Sequence, residues 1–309
     1  MAAQFMFDRI VVPMDGSEPA QAALSYAARI PTRELILLHV MVDREVIVPE
    51  WILRRDSSRT EISMNDRLEK LAEELRGPDR EVTVDVRIGD VAEEIIRAGE
   101  TADMLVMMTH GRGAAGRVLF GSIADRVVRH GNTPTLLVRV GELTRNPKIP
   151  DRVVCALDGS ENAERGIEAA VHLAKALDLP LHLIRSVGLQ DVKARLRETR
   201  AERVAPSQMD PELYDKTLIA VRDEARAYLD SKEIEVKAAY ERVTVELLEG
   251  SVPFTLMWAV DVDDILVITT RGQGGYKRWA LGSVAEKLVR EAPCPVFLER
   301  SADEPFAGL

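Results

Sequence analysis

Short apolar runs alternate with amphipathic stretches along the chain. The first apolar run, 10–14, contains β-branched residues and predicts a buried strand, and Ser17 or Glu18 opens a helix that extends to Ala28. The other strands predicted in the first half are 35–40, 82–88, 104–108 and 135–138, and the other helices are 67–75, 91–98, capped by Asp90, and 122–130. This alternation predicts a parallel sheet covered on both faces, a doubly wound α/β fold.

The same pattern occurs twice. Segment 9–20 (RIVVPMDGSEPA) recurs as 152–163 (RVVCALDGSENA), at an offset of 143 residues. A second block, 111–129, recurs as 272–290 at an offset of 161, so the second copy carries about 18 extra residues, placed mostly in 190–215. The sequence therefore predicts two tandem five-stranded domains, residues 1–143 and 150–302.

The composition narrows the classes of function. The net charge is −10 and the pI is about 5.2, which argues against a basic face for nucleic acid. No apolar run approaches the ~20 residues of a membrane span, and the first residues lack the features of a secretory signal. We therefore expect a cytoplasmic protein that neither binds nucleic acid nor inserts into a membrane. Cys155 and Cys294 lie in apolar runs and are expected to be buried thiols.

Two repeated motifs follow predicted strands. Asp15 and Asp158 come after the first strand of each copy, where an Asp-Gly pair either serves a ligand or simply turns the chain and caps the next helix. After the fourth strand, glycine is followed nine residues later by Gly-Ser at a helix start. The residues concerned are Gly111, Gly121 and Ser122, and Gly272, Gly282 and Ser283. Glycine lets backbone N–H groups approach a phosphate, and a helix N-terminus favours an anion.

Several catalytic patterns are not matched. A G-x-G-x-x-G match at 111–116 is lost in the second copy, and the same segment lacks the Lys-Ser/Thr of a Walker A loop. The sequence has no H-E-x-x-H zinc pattern and no G-x-S-x-G nucleophile elbow. No dedicated base or nucleophile is repeated in both copies, so we predict no metal site, no catalytic residue and at most slow ATP hydrolysis.

Four motifs together resemble the universal stress protein family: Val-Pro-Met-Asp-Gly-Ser, Leu-His-Val in the second strand, Thr-His-Gly-Arg-Gly after the fourth, and the final Gly-Ser. The resemblance covers both halves and implies a Rossmann-like fold of the adenine nucleotide alpha hydrolase type. It implies ATP as the ligand and leaves Mg²⁺ open. The positions it assigns to the nucleotide in the first copy are Pro13, Asp15, Val40, Gly111, Gly121 and Ser122. Those in the second copy are Asp158, Gly272, Gly282 and Ser283.

The leading hypothesis is an ATP-binding stress-response regulator, either non-catalytic or weakly ATP-hydrolysing, that responds to ATP or ADP and acts on an unknown protein partner. The first glycine of the family motif is Met108 in one copy and Thr269 in the other, which favours a nucleotide-free interaction module as the alternative. A third hypothesis is an adenylating or ATP-pyrophosphatase enzyme. Paired family domains pack through their last strands, so the resemblance implies an intrachain pseudo-dimer and leaves a homodimer open.

Overall fold

The structure is a computed structural model that describes residues 7–42, 57–109, 121–139, 150–198, 211–270 and 281–300. The chain divides into two compact units, with the main boundary between Ile149 and Pro150. We call them domain 1 and domain 2.

Each domain alternates strands and helices. Domain 1 contains β1 (Phe7–Pro13), α1 (Glu18–Ala27), β2 (Thr32–Met41), α2 (Ser57–Leu75), β3 (Glu81–Ile88), α3 (Val91–Gly99), β4 (Met104–Thr109), α4 (Ser122–His130) and β5 (Thr135–Arg139). Domain 2 contains β6 (Arg152–Leu157), α5 (Glu161–Leu177), β7 (Leu181–Val187), α6 (Leu189–Glu198), α7 (Pro211–Lys237), β8 (Val243–Glu249), α8 (Val252–Ala259), β9 (Asp264–Thr269), α9 (Ser283–Glu291) and β10 (Val296–Glu299).

Within each domain the described pairings are all parallel. The strand order is β3-β2-β1-β4-β5 in domain 1 and β8-β7-β6-β9-β10 in domain 2. Consecutive residues of β1, from Ile10 to Val12, are 0% exposed. Successive side chains of a strand point to opposite faces, so both faces of the sheet are covered. The predicted doubly wound α/β fold is confirmed in both domains.

The extra residues of the second copy fall mainly between β7 and β8. From Met41 to Ile88, which are paired across β2 and β3, the chain advances 47 residues. The corresponding pair in domain 2, Val187 and Glu249, is separated by 62 residues. The difference of 15 accounts for most of the 18 extra residues. Helix α6 and the longer α7 lie in this part of domain 2.

Several element boundaries differ from the prediction, most of them by one to three residues. Met14 lies beyond the end of β1, although its backbone N–H still donates to Leu38 O at 2.7 Å. Helix α2 begins at Ser57, ten residues before the predicted start, because its first part is too polar to show an apolar period. No helix in the described ranges is long and apolar enough to cross a membrane.

Candidate functional site

The two repeated motifs of each domain meet at the point where the strand order reverses. In domain 1, β1 pairs with β2 on one side and with β4 on the other, and Ile10 lies opposite Met104. In domain 2, β6 pairs in the same way with β7 and β9. The first and fourth strands are therefore neighbours in both domains. Ligands of open α/β sheets bind in the crevice at this switch point, beyond the carboxyl ends of the strands.

Asp15 forms a tight turn at the end of β1. Its Oδ1 accepts hydrogen bonds from Ser17 N at 2.9 Å and from Ser17 Oγ at 2.5 Å. Ser17 Oγ in turn accepts from Ala20 N at 3.3 Å and caps α1. The turn role of this aspartate is thus present in the structure, whereas the cap of α1 is Ser17. Asp15 is exposed, and among the described contacts its Oδ2 accepts no hydrogen bond.

Domain 2 repeats this turn in detail. Asp158 Oδ1 accepts from Ser160 N at 3.0 Å and from Ser160 Oγ at 2.6 Å, and Ser160 Oγ accepts from Ala163 N at 3.1 Å. Both turns require glycine at their second position, since φ is +79° at Gly16 and +83° at Gly159.

The side chains behind the two turns differ. A Cβ on Gly16 would lie 2.3 Å from Met64 Cε, whereas a Cβ on Gly159 would lie 2.8 Å from Arg185 Nη1. The guanidinium of Arg185 also lies 5.0 Å from the ring centroid of Tyr228, on α7. Domain 2 therefore has a fixed positive charge behind the turn where domain 1 has a thioether.

Strand register identifies the counterparts of the residues at the end of β2. Pro13 pairs with Leu38, and the residue equivalent to Pro13, Ala156, pairs with Ile184. Arg185 is therefore the counterpart of His39. The Nδ1–H of His39 donates to Met14 O at 2.7 Å and ties the ends of β1 and β2 together.

Val40, assigned to the nucleotide by resemblance, is the next residue of β2 and is half-buried. Its counterpart in domain 2 is Ser186, whose side chain is buried and whose Oγ lies 2.7 Å from Thr255 Oγ1. Neither Arg185 nor Ser186 lies in the repeated motifs, so motif matching missed them. The sequence difference at these positions, His-Val in domain 1 and Arg-Ser in domain 2, is the signal that could have identified Arg185 and Ser186.

The glycine-headed helices lie on the other side of the crevice. Gly121 is the N-cap of α4 and Gly282 that of α9, and neither helix has a side-chain cap hydrogen bond. In contrast, α1, α3 and α5 are capped by Ser17, Asp90 and Ser160.

The first helical residues, Ser122 and Ser283, are exposed. Gly282 N donates to Thr270 O at 3.0 Å, which fixes the start of α9 beside the end of β9. The exposed serines and the uncapped N–H groups can together bind an anion.

Gly111 and Gly272 lie outside the described residues, so their assignment to the phosphates stays a prediction. Among the residues that the structure describes, no group of three or more His, Cys, Asp or Glu side chains could hold a metal ion. Cys155 is fully buried in β6, and burial raises the pKa of its thiol to about 12, so this thiol is not a nucleophile near neutral pH.

Charged neighbours surround Tyr228 at the back of the domain 2 crevice. Burial raises the pKa of the Tyr228 phenol. Lys232 Nζ lies 2.8 Å from Glu164 Oε2, and this ion pair raises the pKa of the Lys232 ammonium. These groups belong to α5 and α7, so the longer connection of domain 2 contributes directly to the surroundings of its Asp-Gly-Ser turn.

Comparison with known proteins agrees with the fold. The model of the universal stress protein family matches residues 6–139 and again 150–300. A universal stress protein of Mycolicibacterium smegmatis is 25% identical over 309 residues, which cover 94% of this chain and 96% of that protein. The crystal structure of a universal stress protein from Archaeoglobus fulgidus has a TM-score of 0.65 at 21% identity and covers 97% of this chain and 98% of its own.

A protein of unknown function from Pseudomonas aeruginosa shares the fold at 15% identity and a TM-score of 0.59, covering 96% of this chain and 94% of its own. At these identities the solved structures establish the fold alone. The family model, in contrast, matches nearly the whole chain, once in each domain. The chain therefore belongs to the universal stress protein family, as a tandem two-domain member.

Proposed function

We propose that the chain binds an adenine nucleotide, with ATP as the expected ligand, and that domain 1 is the stronger of its two binding sites. The observation that carries the proposal is the pairing, in both domains, of an Asp-Gly-Ser turn with a glycine-headed helix across neighbouring central strands. Membership of the family supports a role in the stress response. Nucleotide occupancy is the proposed signal in that response.

The helix starts supply the phosphate end of the site. A helix N-terminus carries about +0.5 of an elementary charge and leaves its first N–H groups without partners in the helix. Gly121 and Gly282 head α4 and α9 without a side chain that competes for these donors. The exposed hydroxyls of Ser122 and Ser283 add a donor at each start.

The Asp-Gly-Ser turn supplies the adenosine end. Among the described contacts Ser17 bonds to Oδ1 of Asp15, so Oδ2 can accept a hydrogen bond from a ribose hydroxyl. The resemblance implies that the main chain of Val40 lies beside the adenosine and that Pro13 also contacts the nucleotide. All three residues lie at the carboxyl ends of β1 and β2.

The family motif has a glycine where this chain has Met108 in domain 1 and Thr269 in domain 2. The backbone conformation at these two positions does not require glycine. Both residues lie in regular strands, and in the described part of the chain the only non-glycine residue with a positive φ is Asp178. The side chain of Thr269 packs against α5, where Asn162 Nδ2 donates to its Oγ1 at 3.5 Å. The backbone conformation at Met108 and Thr269 is therefore compatible with a bound nucleotide.

The site favours binding over rapid catalysis. A shared catalytic base would occupy equivalent positions in the two crevices, but the counterpart of His39 is Arg185. We therefore expect at most slow hydrolysis. Phosphate contacts would fix the chain around Gly121 and Gly282 and thereby change the surface offered to a partner protein.

A nucleotide-free interaction module is the second candidate, and it applies mainly to domain 2. Arg185 fills the space behind Gly159, and the hydroxyl of Ser186 is engaged with Thr255. The adenylating or pyrophosphatase alternative is weaker, because it needs a Ser-Gly-Gly-rich loop after β1, whereas Ser17 is used as the cap of α1.

The test is to quantify the nucleotide released on denaturation of the purified chain and to titrate the stripped chain with Mg-ATP by calorimetry. We expect Gly121→Ala to weaken ATP binding about tenfold or more, because charge-assisted hydrogen bonds are worth roughly 1.5–3 kcal/mol. Gly77→Ala is the matched control, since a Cβ at Gly77 meets nothing within 4 Å.

In domain 2, a Cβ on Gly282 would lie 3.6 Å from Thr270 O, an ordinary contact, so Gly282→Ala leaves the fold intact and reports on the ligand. A chain that releases no nucleotide and shows no heat with Mg-ATP would establish the interaction module instead.

A further inference from the structure

Helix α3 of domain 1 and helix α8 of domain 2 occupy equivalent positions, at an offset of 161 residues. In domain 1 the outer face of α3 carries a network of charges. Arg126 lies 2.8 Å from Asp90 and 3.8 Å from Glu93, and Arg97 lies 3.9 Å from Glu93. These four residues form a solvated polar surface of an ordinary kind.

The four equivalent positions in domain 2 have different chemistry. Asp90 is replaced by Ser251, Glu93 by Phe254, Arg97 by Trp258 and Arg126 by Lys287.

Phe254 is 52% exposed and Trp258 is 90% exposed, one helical turn apart on the same face of α8. Lys287 Nζ lies 4.1 Å from the centroid of the Phe254 ring. We call Phe254, Trp258 and Lys287 the α8 face.

The fold does not require aromatic residues at these positions, because domain 1 carries an ion pair there. Helix α8 is already anchored to domain 2 by Leu256, which is 4% exposed. The sequence Val-Pro-Phe-Thr-Leu-Met-Trp-Ala contains no charge, so nothing within α8 opposes an apolar partner. Adjacent exposed aromatic side chains, with a cation over the ring of one of them, are typical of a surface that another molecule covers.

We propose that the α8 face is a self-association surface, on which α8 packs antiparallel against α8 of a second copy of the chain. A two-fold axis placed between Phe254 and Trp258 brings each aromatic ring against the other aromatic residue of the second copy. Such an isologous contact is self-complementary, because the same patch serves both copies.

The charges around α8 fit this arrangement. Lys287 lies at the N-terminal half of α8, and the exposed Asp261 follows its C-terminal end by two residues. Antiparallel packing places Lys287 of one copy near Asp261 of the other. Among the residues that the structure describes, Glu291 pairs with Lys287, its Oε2 lying 3.7 Å from Lys287 Nζ, and a surface pair of this kind competes weakly.

The α8 face is smaller than a standard protein–protein interface, which favours a weak association. Large aromatic side chains bury 150–250 Å² each, so the exposed parts of Phe254 and Trp258 offer roughly 300 Å² per copy. A standard stable interface buries about 800 Å² per partner. We therefore expect a weak dimer whose fraction grows as the concentration rises.

The test is sedimentation velocity of the full chain from about 5 to 500 μM, together with tryptophan emission over the same range. We expect a monomer at the lowest concentration, a growing dimer fraction and a blue shift as Trp258 leaves water. The double variant Phe254→Glu, Trp258→Arg installs the pair found in domain 1, and we expect it to stay monomeric. Ile234→Glu is the matched control, because Ile234 is an exposed apolar residue, 74% accessible, on a different helix, α7.

A charge swap tests the antiparallel register. Lys287→Glu and Asp261→Lys should each weaken the dimer severalfold, and the chain that carries both should regain the dissociation constant of the wild type. Trp258→Phe should abolish the concentration-dependent shift, which assigns the signal to Trp258 among the three tryptophans.

Three results would overturn the proposal. The first is a wild-type chain that stays monomeric at 500 μM, and the second is a dimer that survives the Phe254→Glu, Trp258→Arg change. The third is a monomer whose Trp258 emission shifts only with vesicles of phosphatidylcholine and phosphatidylglycerol, which would assign the face to a lipid surface. Loss of each single charge without recovery in the double variant would exclude the antiparallel register.

Discussion

Asp264 binds Arg152 through both of its carboxylate oxygens, with Nε to Oδ1 at 2.9 Å and Nη2 to Oδ2 at 3.0 Å. The same carboxylate accepts from Asp261 N at 2.7 Å, and Arg152 Nη2 also donates to Ala259 O at 3.0 Å. Asp264 is 2% exposed, and its hydrogen bonds to Arg152 raise the pKa of the Arg152 guanidinium. The pair joins the first residues of β6 and β9, the two central strands of domain 2.

We expect Asp264→Asn to destabilise domain 2 by about 2 kcal/mol, because it leaves a half-buried guanidinium without its counter-charge. Urea unfolding and hydrogen exchange of the β6 amides measure the change. The matched control is Asp103→Asn in domain 1, where the exposed carboxylate accepts, among the described contacts, from the backbone N–H groups of Asp8 and Arg9. Equal losses in the two variants would show that the guanidinium pairing contributes nothing.

Gly159→Ala and Gly16→Ala should each lower the free energy of unfolding by about 1–2 kcal/mol, because alanine is strained at φ near +80°. The steric part differs between them. Met64→Ala should recover some of the loss in Gly16→Ala, since the clash there is with Met64 Cε. Gly77→Ala, at an open position, should change the unfolding midpoint little. A negligible effect at all three glycines would contradict the turn geometry.

The thiol of Cys155 should resist alkylation at pH 8 in the folded chain and react once the chain is unfolded. Its pKa rises from 9.0 to about 12 on burial, so the folded state retains a proton that the unfolded state loses. The free energy of unfolding should therefore fall as pH rises from 9 to about 12, by up to ~1.4 kcal/mol per pH unit from this group.

Cys155→Ala should remove that part of the slope, and mass spectrometry of labelled peptides separates Cys155 from Cys294. Rapid labelling of Cys155 in the folded chain at pH 8 would contradict this prediction.

Ser122→Ala and Ser283→Ala separate the two proposed nucleotide sites. If domain 1 is the stronger site, Ser122→Ala should weaken the tighter ATP binding event several-fold, since a phosphate loses one hydroxyl donor. Ser283→Ala should leave that event unchanged. Calorimetry with Mg-ATP measures both, and circular dichroism checks that α4 and α9 persist. The opposite ranking would assign the tighter site to domain 2.

The sequence predicted the secondary structure well wherever the apolar period was strong. The buried strands and the capped helix starts at Ser17 and Asp90 were all predicted. The start of α2 was not, because its polar first turns carry no period. Met64, near that start, contacts the Gly16 turn, and such a tertiary contact has no signature in a single sequence.

The candidate site was only partly predictable. The repeated sequence motifs identified Asp15, Gly121 and their counterparts, which lie on both sides of the crevice in each domain. Arg185 was missed because it lies outside both repeated blocks, and only the register of β7 beside β6 makes it the counterpart of His39. The α8 face was also missed, because Phe254 and Trp258 have the same spacing as core residues and only their exposure distinguishes them.

The pairing of the first and fourth strands has a consequence for biosynthesis. Ile10 pairs with Met104, and Arg152 pairs with Asp264. At a synthesis rate of about 5–20 residues per second, β1 emerges roughly 5–20 s before the strand that completes its pairing, and β6 waits about as long for β9. All five strands of domain 1 are made before β6 begins, so the ribosome presents one finished sheet before the second has started.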